Sequence, residues 1–226
     1  MKKQSAIVIG STGLVGNHLI RLLLQDKRFD QVLVFGRRST GLSHPKLQEH
    51  LVDFDQISNW AHSVQGDVLF SALGTTLKKA GSKEKQFLID YTYQYQVAKA
   101  AASNGVASYV LVSSAGANAK SKLFYSRLKG QLDEAVQQAG FKQVAILRPS
   151  FLDGERQEQR TAEQIGLSAM RWLTQFIFKR YRPIHAKVVA QAMINAFFSK
   201  TAVPSCTIYE LDELFPLASG ELTKET

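Results

Sequence analysis

The sequence predicts an α/β fold in which helices cover both faces of a parallel sheet. Short runs rich in valine and isoleucine alternate with longer segments of helical periodicity over the first two thirds of the chain. This alternation is typical of parallel strands joined by crossover helices. After Pro149 the alternation changes, and two further helical segments follow. We therefore predict a doubly wound parallel sheet with a small C-terminal helical cap.

The strands are predicted from short apolar runs, most of them bounded by glycine, aspartate or serine. They are Ala6–Ile9, Val32–Phe35, Lys46–Val52, Val68–Ser71, Tyr109–Val112, Val144–Leu147 and a short Thr207–Tyr209. Helical periodicity and the positions of asparagine and glycine predict the helices. These are Leu14–Leu24, Gln86–Ala102, Leu123–Ala139, 161–182 and 185–199.

The length and composition indicate one soluble domain. The chain has 226 residues, of which 45% are hydrophobic and 21% charged, which is ordinary for a globular protein. We predict a single domain over residues 1–226, in which about 150–226 form the cap and tail. Residues 217–226 are expected to be disordered.

Targeting signals and disulfides are not expected. No apolar run reaches the roughly 18 residues of a membrane span, and the N-terminal run is too short for a signal peptide. The single cysteine, Cys206, cannot form an internal disulfide, which fits a reducing compartment. The sequence thus predicts a cytoplasmic protein.

The net charge of +9 allows two interpretations. One is a nucleic-acid surface, and the other is a solvated basic face with an anionic cofactor site. The lysines and arginines are scattered, and no nucleic-acid-binding motif accompanies them. The second interpretation is therefore favoured.

A glycine-rich loop follows the first strand. Gly10, Gly13 and Gly16 have GxxGxxG spacing and lead into the first helix. Gly10 allows the tight turn, Gly13 lets backbone amides approach a pyrophosphate, and Gly16 allows close packing of helix and strand. The helix N-terminus also favours binding of the phosphates, because it offers unpaired N–H groups and the positive end of the helix dipole. This pattern predicts a Rossmann-type dinucleotide site; a tight turn without a ligand is the alternative.

The second strand ends in Phe35-Gly36-Arg37-Arg38, where an NAD-selective site usually has an acidic residue. Arg37 and Arg38 can bind a 2′-phosphate through charge-assisted hydrogen bonds of roughly 1.5–3 kcal/mol each. When their free energy is reduced for screening by solvent, two such contacts favour binding of NADP(H) over NAD(H) about a hundredfold. The alternative is that both are ordinary surface residues. Asp53 is predicted either to contact the adenine amine or to be a plain turn residue.

Tyr125 and Lys129 lie one helical turn apart on one face of the predicted helix Leu123–Ala139. A lysine ammonium stabilises a nearby phenolate, so a tyrosine in this pair can act as acid or base on a carbonyl or alcohol. Ser113 and Ser114 follow the preceding strand, and Ser114 is preferred for binding the substrate oxygen. In the alternative interpretation, Tyr125 is a half-buried helix residue, Lys129 is a solvated charge, and the serines cap the end of the strand.

Several motifs together resemble those of an atypical short-chain dehydrogenase/reductase, over about residues 5–200. Within that superfamily the chain is similar to the Tat-interacting-protein-like oxidoreductases and their bacterial relatives. The motifs are GSTGLVG (10–16), FGRR (35–38), SALGTT (71–76), VSSAGA (112–117), YSRLK (125–129), LRPSFL (147–152) and ERQEQR (155–160). SALGTT and ERQEQR are specific to this branch, whereas the glycine loop and YxxxK are common to the superfamily.

The resemblance implies NADPH binding. Leu73 and Gly74 would lie along the adenosine-to-ribose path, Tyr125 and Lys129 would lie by the nicotinamide ribose, and Leu152 and Arg160 would close over the cofactor. The full predicted cofactor set is Gly10, Ser11, Thr12, Gly13, Leu14, Val15, Gly16, Arg37, Arg38, Asp53, Leu73, Gly74, Tyr125, Lys129, Leu152 and Arg160.

The sequence departs from the superfamily in two places. The helix position at which many members have asparagine is Asp90 or Tyr91 here, which weakens a proton relay to solvent. The small cap argues against a large nucleotide-sugar substrate. The histidines show no metal-ligand spacing, and no metal site is predicted. His185 is a substrate-pocket candidate.

Two aromatic segments are open to more than one interpretation. Phe87, Tyr91 and Tyr95 form one helical stripe that favours packing or a homodimer face over a pocket wall. The basic aromatic segment 171–182 is predicted to cover the active site, with contact to a membrane surface as the alternative.

Three functions follow. The first is an NADP(H)-dependent oxidoreductase acting on a small carbonyl or alcohol, with Tyr125, Lys129 and Ser114 as catalytic residues. The second is an NADP(H)-sensing module that binds a protein partner. The third is an epimerase or dehydratase that recycles its cofactor.

Overall fold

A seven-stranded parallel sheet forms the centre of the molecule. The computed structural model describes residues 2–153, 179–199 and 205–222. Its strands are β1 (Gln4–Ile9), β2 (Phe29–Gly36), β3 (Leu47–Leu51), β4 (Val68–Ser71), β5 (Ser108–Val112), β6 (Gln143–Arg148), β7 (Leu152–Asp153), β8 (Ile184–His185) and β9 (Ser205–Glu210). The large sheet has the order β3-β2-β1-β4-β5-β6-β9, and β7 pairs with β8 separately.

The strand order reverses between β1 and β4, which are parallel neighbours. The chain builds β1, β2 and β3 outward from the centre, and then returns to build β4, β5 and β6 in the other direction. The predicted doubly wound α/β fold is thus confirmed. A crevice for a ligand is expected at this switch point, outside the carboxyl ends of the strands.

The helices are α1 (Leu14–Gln25), α2 (Leu77–Ala80), α3 (Lys83–Phe87), α4 (Gln94–Ser103), α5 (Phe124–Gln137), α6 (Ala186–Phe198) and α7 (Leu214–Ser219), with a π-helical segment at Leu88–Tyr93. The predicted helix Gln86–Ala102 therefore begins earlier and contains a wider turn in its first half. Such turns are frequent at functional sites.

Two apolar layers enclose the sheet because successive residues of a strand point to opposite faces. In β1, Ala6 and Val8 pack into the layer that contains α1, α6 and α7, whereas Ile7 and Ile9 pack into the layer that contains α4 and α5. All four side chains are fully buried. Burial on both faces explains why the central strands read as continuous apolar runs in the sequence.

Part of the C-terminal third belongs to the sheet and its helical layers. β9 extends the sheet beside β6, and α6 packs on α1. The expectation that residues 217–226 are disordered is wrong for its first part, because Leu214 and Leu217 of α7 are buried against the core. Of the predicted helix 161–182, most lies outside the described residues, and Lys179–Tyr181 forms a 3-10 turn.

Within residues 2–153, 179–199 and 205–222, no helix is long and apolar enough to cross a membrane.

Candidate functional site

The glycine loop lies at the switch point of the sheet. Gly10 follows β1 with φ of +81°, in the left-handed region that glycine adopts without strain. A Cβ at this position would lie 2.3 Å from the carbonyl carbon of Ala72, which follows β4. The loops after the two central strands therefore approach each other as closely as a glycine allows.

The N-terminus of α1 is open to a ligand. α1 begins at Leu14, and its N-cap Gly13 provides no side-chain hydrogen bond to the first amides. A Cβ at Gly16 would lie 2.1 Å from the Gly10 carbonyl oxygen, so the helix packs directly against the turn. Thr12 and Gly13 are exposed, whereas Ser11, Val15 and Gly16 are buried and Leu14 is half-buried. Amides that have no cap are suited to phosphate oxygens.

Two exposed arginines follow the end of β2. Arg37 and Arg38 form no hydrogen bond or ion pair with another residue in the described ranges. Their guanidinium groups are therefore available at the edge of the sheet where the glycine loop lies. Asp53, by contrast, accepts a hydrogen bond from the Asp55 backbone and caps the 3-10 helix Phe54–Asn59. This capping role is the turn interpretation of Asp53.

The loop after β4 is tied to the π-helical segment. The Thr75 amide donates to Asp90 Oδ1 at 2.7 Å, and Gln86 Nε2 donates to the Thr75 carbonyl at 3.3 Å. Leu73 packs against the core and Gly74 is exposed. A Cβ at Gly74 would lie 3.8 Å from Asp90 Oδ1 and 3.9 Å from Lys129 Nζ. The loop backbone therefore borders this charged pair.

Lys129 is a buried cation rather than a solvated surface charge. Only 3% of its surface is exposed, and Nζ lies 3.8 Å from Asp90 Oδ2. The ring centre of Tyr125 lies 5.9 Å from the same nitrogen, while 43% of Tyr125 is exposed. The structure thus brings the predicted tyrosine and lysine together, with the lysine inside and the tyrosine at the surface.

The wider turn at Leu88–Tyr93 explains a contact that the sequence did not reveal. Asp90 occurs in this turn and is fully buried against Lys129. Burial raises the pKa of the Asp90 carboxyl above its ordinary value, and Lys129 opposes that effect. Burial lowers the pKa of Lys129, but Tyr125 and Asp90 outweigh it, so the net shift is upward. Lys129 therefore stays charged at neutral pH.

A chain of ion pairs adjoins Lys129 and runs from the buried Asp133 to the exposed Arg180. Asp133 lies one helical turn further along α5, and its Oδ2 accepts from Arg148 Nε at 2.9 Å. Arg148 Nη1 donates to Glu210 Oε1 at 2.8 Å, and Glu210 Oε2 lies 3.7 Å from Arg180 Nη2. Burial raises the pKa of Asp133, which Arg148 partly offsets. These ion pairs connect α5 with the ends of β6 and β9.

The two serines after β5 face different surroundings. Ser113 is buried beside Asp133. Ser114 is half-buried and lines a cavity of about 620 Å³, together with residues that follow β6 and β9. Its Oγ donates only a long bond, 3.3 Å, to the Ala115 carbonyl oxygen. Of the two candidates, Ser114 is the one that faces open space.

Gly130 is a residue that the sequence analysis missed. It is buried in α5 next to Lys129, and a Cβ there would lie 2.1 Å from the Ala119 nitrogen. The Asn118 amide donates to the Ser126 carbonyl, which holds the same loop on the helix. The signal was available, because glycine inside a helix costs about 1 kcal/mol relative to alanine and usually has a packing reason.

The remaining predicted residues lie around this centre. Leu152 is half-buried in β7 and pairs with Ile184 of β8. His185 caps α6, its Nδ1 accepts from the Lys187 amide, and its ring lies 5.4 Å from that of His18. Arg160 lies outside the described residues. Phe87, Tyr91 and Tyr95 do form one stacked stripe, with ring centres 4.8 and 5.9 Å apart.

The site as a whole fits a dinucleotide. Three features occur at one edge of the sheet. They are a turn that admits no Cβ, uncapped amides at the start of α1, and guanidinium groups after β2 that pair with no described residue. These groups suit phosphates, and the Tyr125–Lys129 pair suits proton exchange.

Comparison with protein families agrees with this geometry. A family model described as NAD(P)H-binding matches residues 10–199. The chain is 34% identical to "Protein fmp52, mitochondrial" of Aspergillus fumigatus over 84% of this chain and 85% of that protein. It is 35% identical to "Protein FMP52-1, mitochondrial" of Scheffersomyces stipitis over 94% and 98% of the two chains.

Solved structures share the fold at low sequence identity. MoeE5 in complex with UDP-glucose and NAD has a TM-score of 0.69 and 13% identity, over 95% of this chain and 81% of that chain. The UDP-N-acetylglucosamine 4-epimerase from Methanobrevibacter ruminantium M1 has the same TM-score and 17% identity, over 95% and 81%. At this identity the likeness concerns the fold alone.

The relatives correct one prediction. They are named mitochondrial proteins, so the prediction of a cytoplasmic location is wrong. The argument from Cys206 failed because a single cysteine excludes an internal disulfide in every compartment. It therefore does not separate one reducing compartment from another.

Proposed function

The chain belongs to the NAD(P)H-binding family, and from that premise we propose that it is an NADP(H)-dependent oxidoreductase acting on a small carbonyl or alcohol. We also propose that residues 1–226 form one domain, and that the chain falls in the Tat-interacting-protein-like branch of the short-chain dehydrogenase/reductases. The SALGTT sequence motif (71–76) supports this branch. The amide of its Thr75 donates to the buried Asp90 beside Lys129.

The observation that carries the proposal is the burial of Lys129 beside an exposed Tyr125. An ordinary lysine on a surface helix extends into water. Lys129 is instead only 3% exposed and lies between two carboxylates. Bringing an ammonium into such a site costs free energy unless the charge is used or compensated. Buried titratable groups whose pKa values are shifted by burial and by charged neighbours favour a functional site.

The mechanism assigns one task to each group. When bound, NADPH would supply a hydride to the carbonyl carbon and would be left as NADP⁺. Tyr125 donates its phenolic proton to the carbonyl oxygen, so that the products are an alcohol and a phenolate. The Lys129 ammonium stabilises that phenolate, and a solvent proton then restores the phenol. Ser114 donates a hydrogen bond that orients the substrate oxygen.

Cofactor selection is assigned to Arg37 and Arg38. Both are exposed and unpaired with the rest of the described chain, so their charge is available to the 2′-phosphate of NADP(H). Asp53 Oδ1 accepts from the Asp55 amide, and a contact between the Asp53 carboxylate and the adenine amine stays a prediction.

Calorimetry with NADPH and NADH tests the cofactor assignment. We expect the wild type to prefer NADPH about a hundredfold, and Arg37→Ala/Arg38→Ala to lose most of that preference while NADH binding stays the same. Lys27→Ala/Arg28→Ala, another adjacent pair of basic residues, is the control. If neither dinucleotide binds, or if the double variant keeps its preference, the assignment is wrong.

Turnover tests the catalytic assignment. Oxidation of NADPH is followed with a broad panel of aldehydes and ketones, and Tyr125→Phe is compared with Tyr95→Phe, which changes a half-buried tyrosine of the aromatic stripe. We expect Tyr125→Phe to lower kcat by at least about a hundredfold, with Tyr95→Phe close to wild type. Equal turnover by both variants would refute the mechanism. Tight NADPH binding with no turnover of any carbonyl would favour a cofactor-sensing protein.

A further inference from the structure

A cavity of about 620 Å³ lies at the carboxyl ends of β5, β6 and β9. This volume is in the range of small-molecule sites, about 300–1,000 Å³. Its walls include Ser114, Arg148, Phe151, Arg180, Tyr181 and Glu210. Ser114 is the residue that the cavity has in common with the proposed catalytic set, so a substrate whose oxygen meets Ser114 would extend into this space.

Arg148 is held rigidly at the base of the cavity. Its Nε donates to Asp133 and its Nη1 to Glu210, at 2.9 and 2.8 Å. The guanidinium group has five N–H bonds, and no described residue accepts from Nη2. Because two carboxylates fix the plane of the group, the remaining donors have a defined direction and are suited to an oxygen acceptor.

The charges around the cavity are balanced. Among the described residues, the cations are Arg148 and Arg180, and the carboxylates paired with them are Asp133 and Glu210. A carboxylate on a ligand would add an uncompensated negative charge close to two existing ones. The usual preference of arginine for carboxylates is therefore already satisfied by the protein.

Two exposed aromatic residues line the cavity. Phe151 is 52% exposed and Tyr181 is 48% exposed, and both are among its lining residues. Large apolar side chains exposed at a concave site are typical of ligand contact. They favour an apolar or aromatic body on the ligand.

We propose that this cavity selects uncharged carbonyl substrates, with an apolar body against Phe151 and Tyr181 and a second oxygen that accepts from Arg148. This inference rests on the proposed function, because it names the substrate class of the same site. Glu210 determines the selection, since its carboxylate lies within ion-pair distance of both arginines and, together with Asp133, balances their charge.

Binding to the NADP⁺-saturated protein tests the inference without turnover. Calorimetry compares methyl benzoylformate with benzoylformate, two aromatic oxo compounds that differ in one negative charge, and acetophenone, which lacks the second oxygen. We expect the ester to bind at least about tenfold more tightly than the acid and than acetophenone.

Two charge variants test the cause. Glu210→Gln retains an acceptor for Arg148 but removes the charge, and we expect the ratio of ester to acid affinity to fall about tenfold. Arg180→Gln changes an exposed residue and is expected to raise the same ratio. Glu134→Gln, on the exposed face of α5, is the control and should leave the ratio unchanged.

The outcomes separate this inference from the proposed function. Three outcomes would overturn the substrate class, even if other carbonyls oxidise NADPH. They are tighter binding of the acid than of the ester, a ratio of ester to acid affinity that neither charge variant changes, and no binding of any of the three compounds. The expected ratios without any oxidation of NADPH would support the ligand class and contradict the oxidoreductase.

Discussion

Gly130→Ala is a stringent test of the packing that holds α5, the helix that carries the proposed Tyr125–Lys129 pair. Gly130 lies in α5 directly after Lys129, where the loop that follows Ser114 crosses the helix. A Cβ would lie 2.1 Å from the Ala119 nitrogen and 2.2 Å from the Asn118 carbonyl carbon. These are backbone atoms, so a change of side-chain rotamer cannot relieve the contact.

Two opposing contributions determine the effect on stability. Alanine favours a helix interior over glycine by about 1 kcal/mol. Overpacking typically costs about 1–3 kcal/mol, and a clash between backbone atoms belongs at the upper end of that range. We therefore expect Gly130→Ala to lower the free energy of unfolding by about 2 kcal/mol. NADPH binding should weaken too, because the shift of loop and helix moves Lys129.

Urea unfolding at pH 7 and calorimetry with NADPH measure the two effects. Gln131→Ala, at the adjacent exposed position of α5, is the matched control and should change stability by a few tenths of a kcal/mol. A Gly130→Ala variant as stable as the wild type, or more stable, would refute the close approach of the loop to the helix.

Three further predictions concern the buried charges and the glycine turn. Burial raises the pKa of the Asp90 carboxyl, so Asp90 contributes most to stability at a pH below the ordinary aspartate pKa, and this contribution is lost as the pH rises through the raised pKa. In urea unfolding, the free energy of unfolding of the wild type minus that of Asp90→Asn should therefore fall from pH 4 to 8. A rise in this difference would contradict the assignment. Lys129→Met leaves Asp90 and Asp133 without their shared cation and should lower the free energy of unfolding by about 3–5 kcal/mol. The double variant Lys129→Met/Asp90→Asn should recover part of this loss in the same assay. No recovery of stability would argue against the Lys129–Asp90 pair. Gly10→Ala, with φ of +81° and a Cβ 2.3 Å from Ala72, should abolish NADPH binding in calorimetry, and retained binding would show that the turn can rearrange.

The sequence was informative where a local pattern has a single physical cause. Short apolar runs located all the strands of the large sheet. β1, β2, β5, β6 and β9 are longer than the patterns indicated, and β3 is shorter. The glycine spacing predicted the turn after β1, because only residues without a Cβ fit there. The aromatic stripe at Phe87, Tyr91 and Tyr95 was likewise legible from helical spacing.

Long-range contacts were not predictable in the same way. The pairing of Arg148 with Asp133 and Glu210 joins residues 15 and 62 positions apart, and nothing in the local sequence of any one of them indicates a partner. The tail prediction failed for a related reason. Leu214 and Leu217 form a segment too short to show a clear period, yet they pack against the core built by earlier elements.

The amino-acid sequence by itself determined the fold class, the glycine turn after β1, the paired arginines and the Tyr125–Lys129 spacing, because each depends on local patterns in the chain. Only the tertiary structure decided which of these groups is charged and enclosed. It buried Lys129 between two carboxylates, turned Ser113 inward and left Ser114 facing the cavity. Burial and electrostatic environment depend on elements that meet in space, and a local pattern does not record which elements those are.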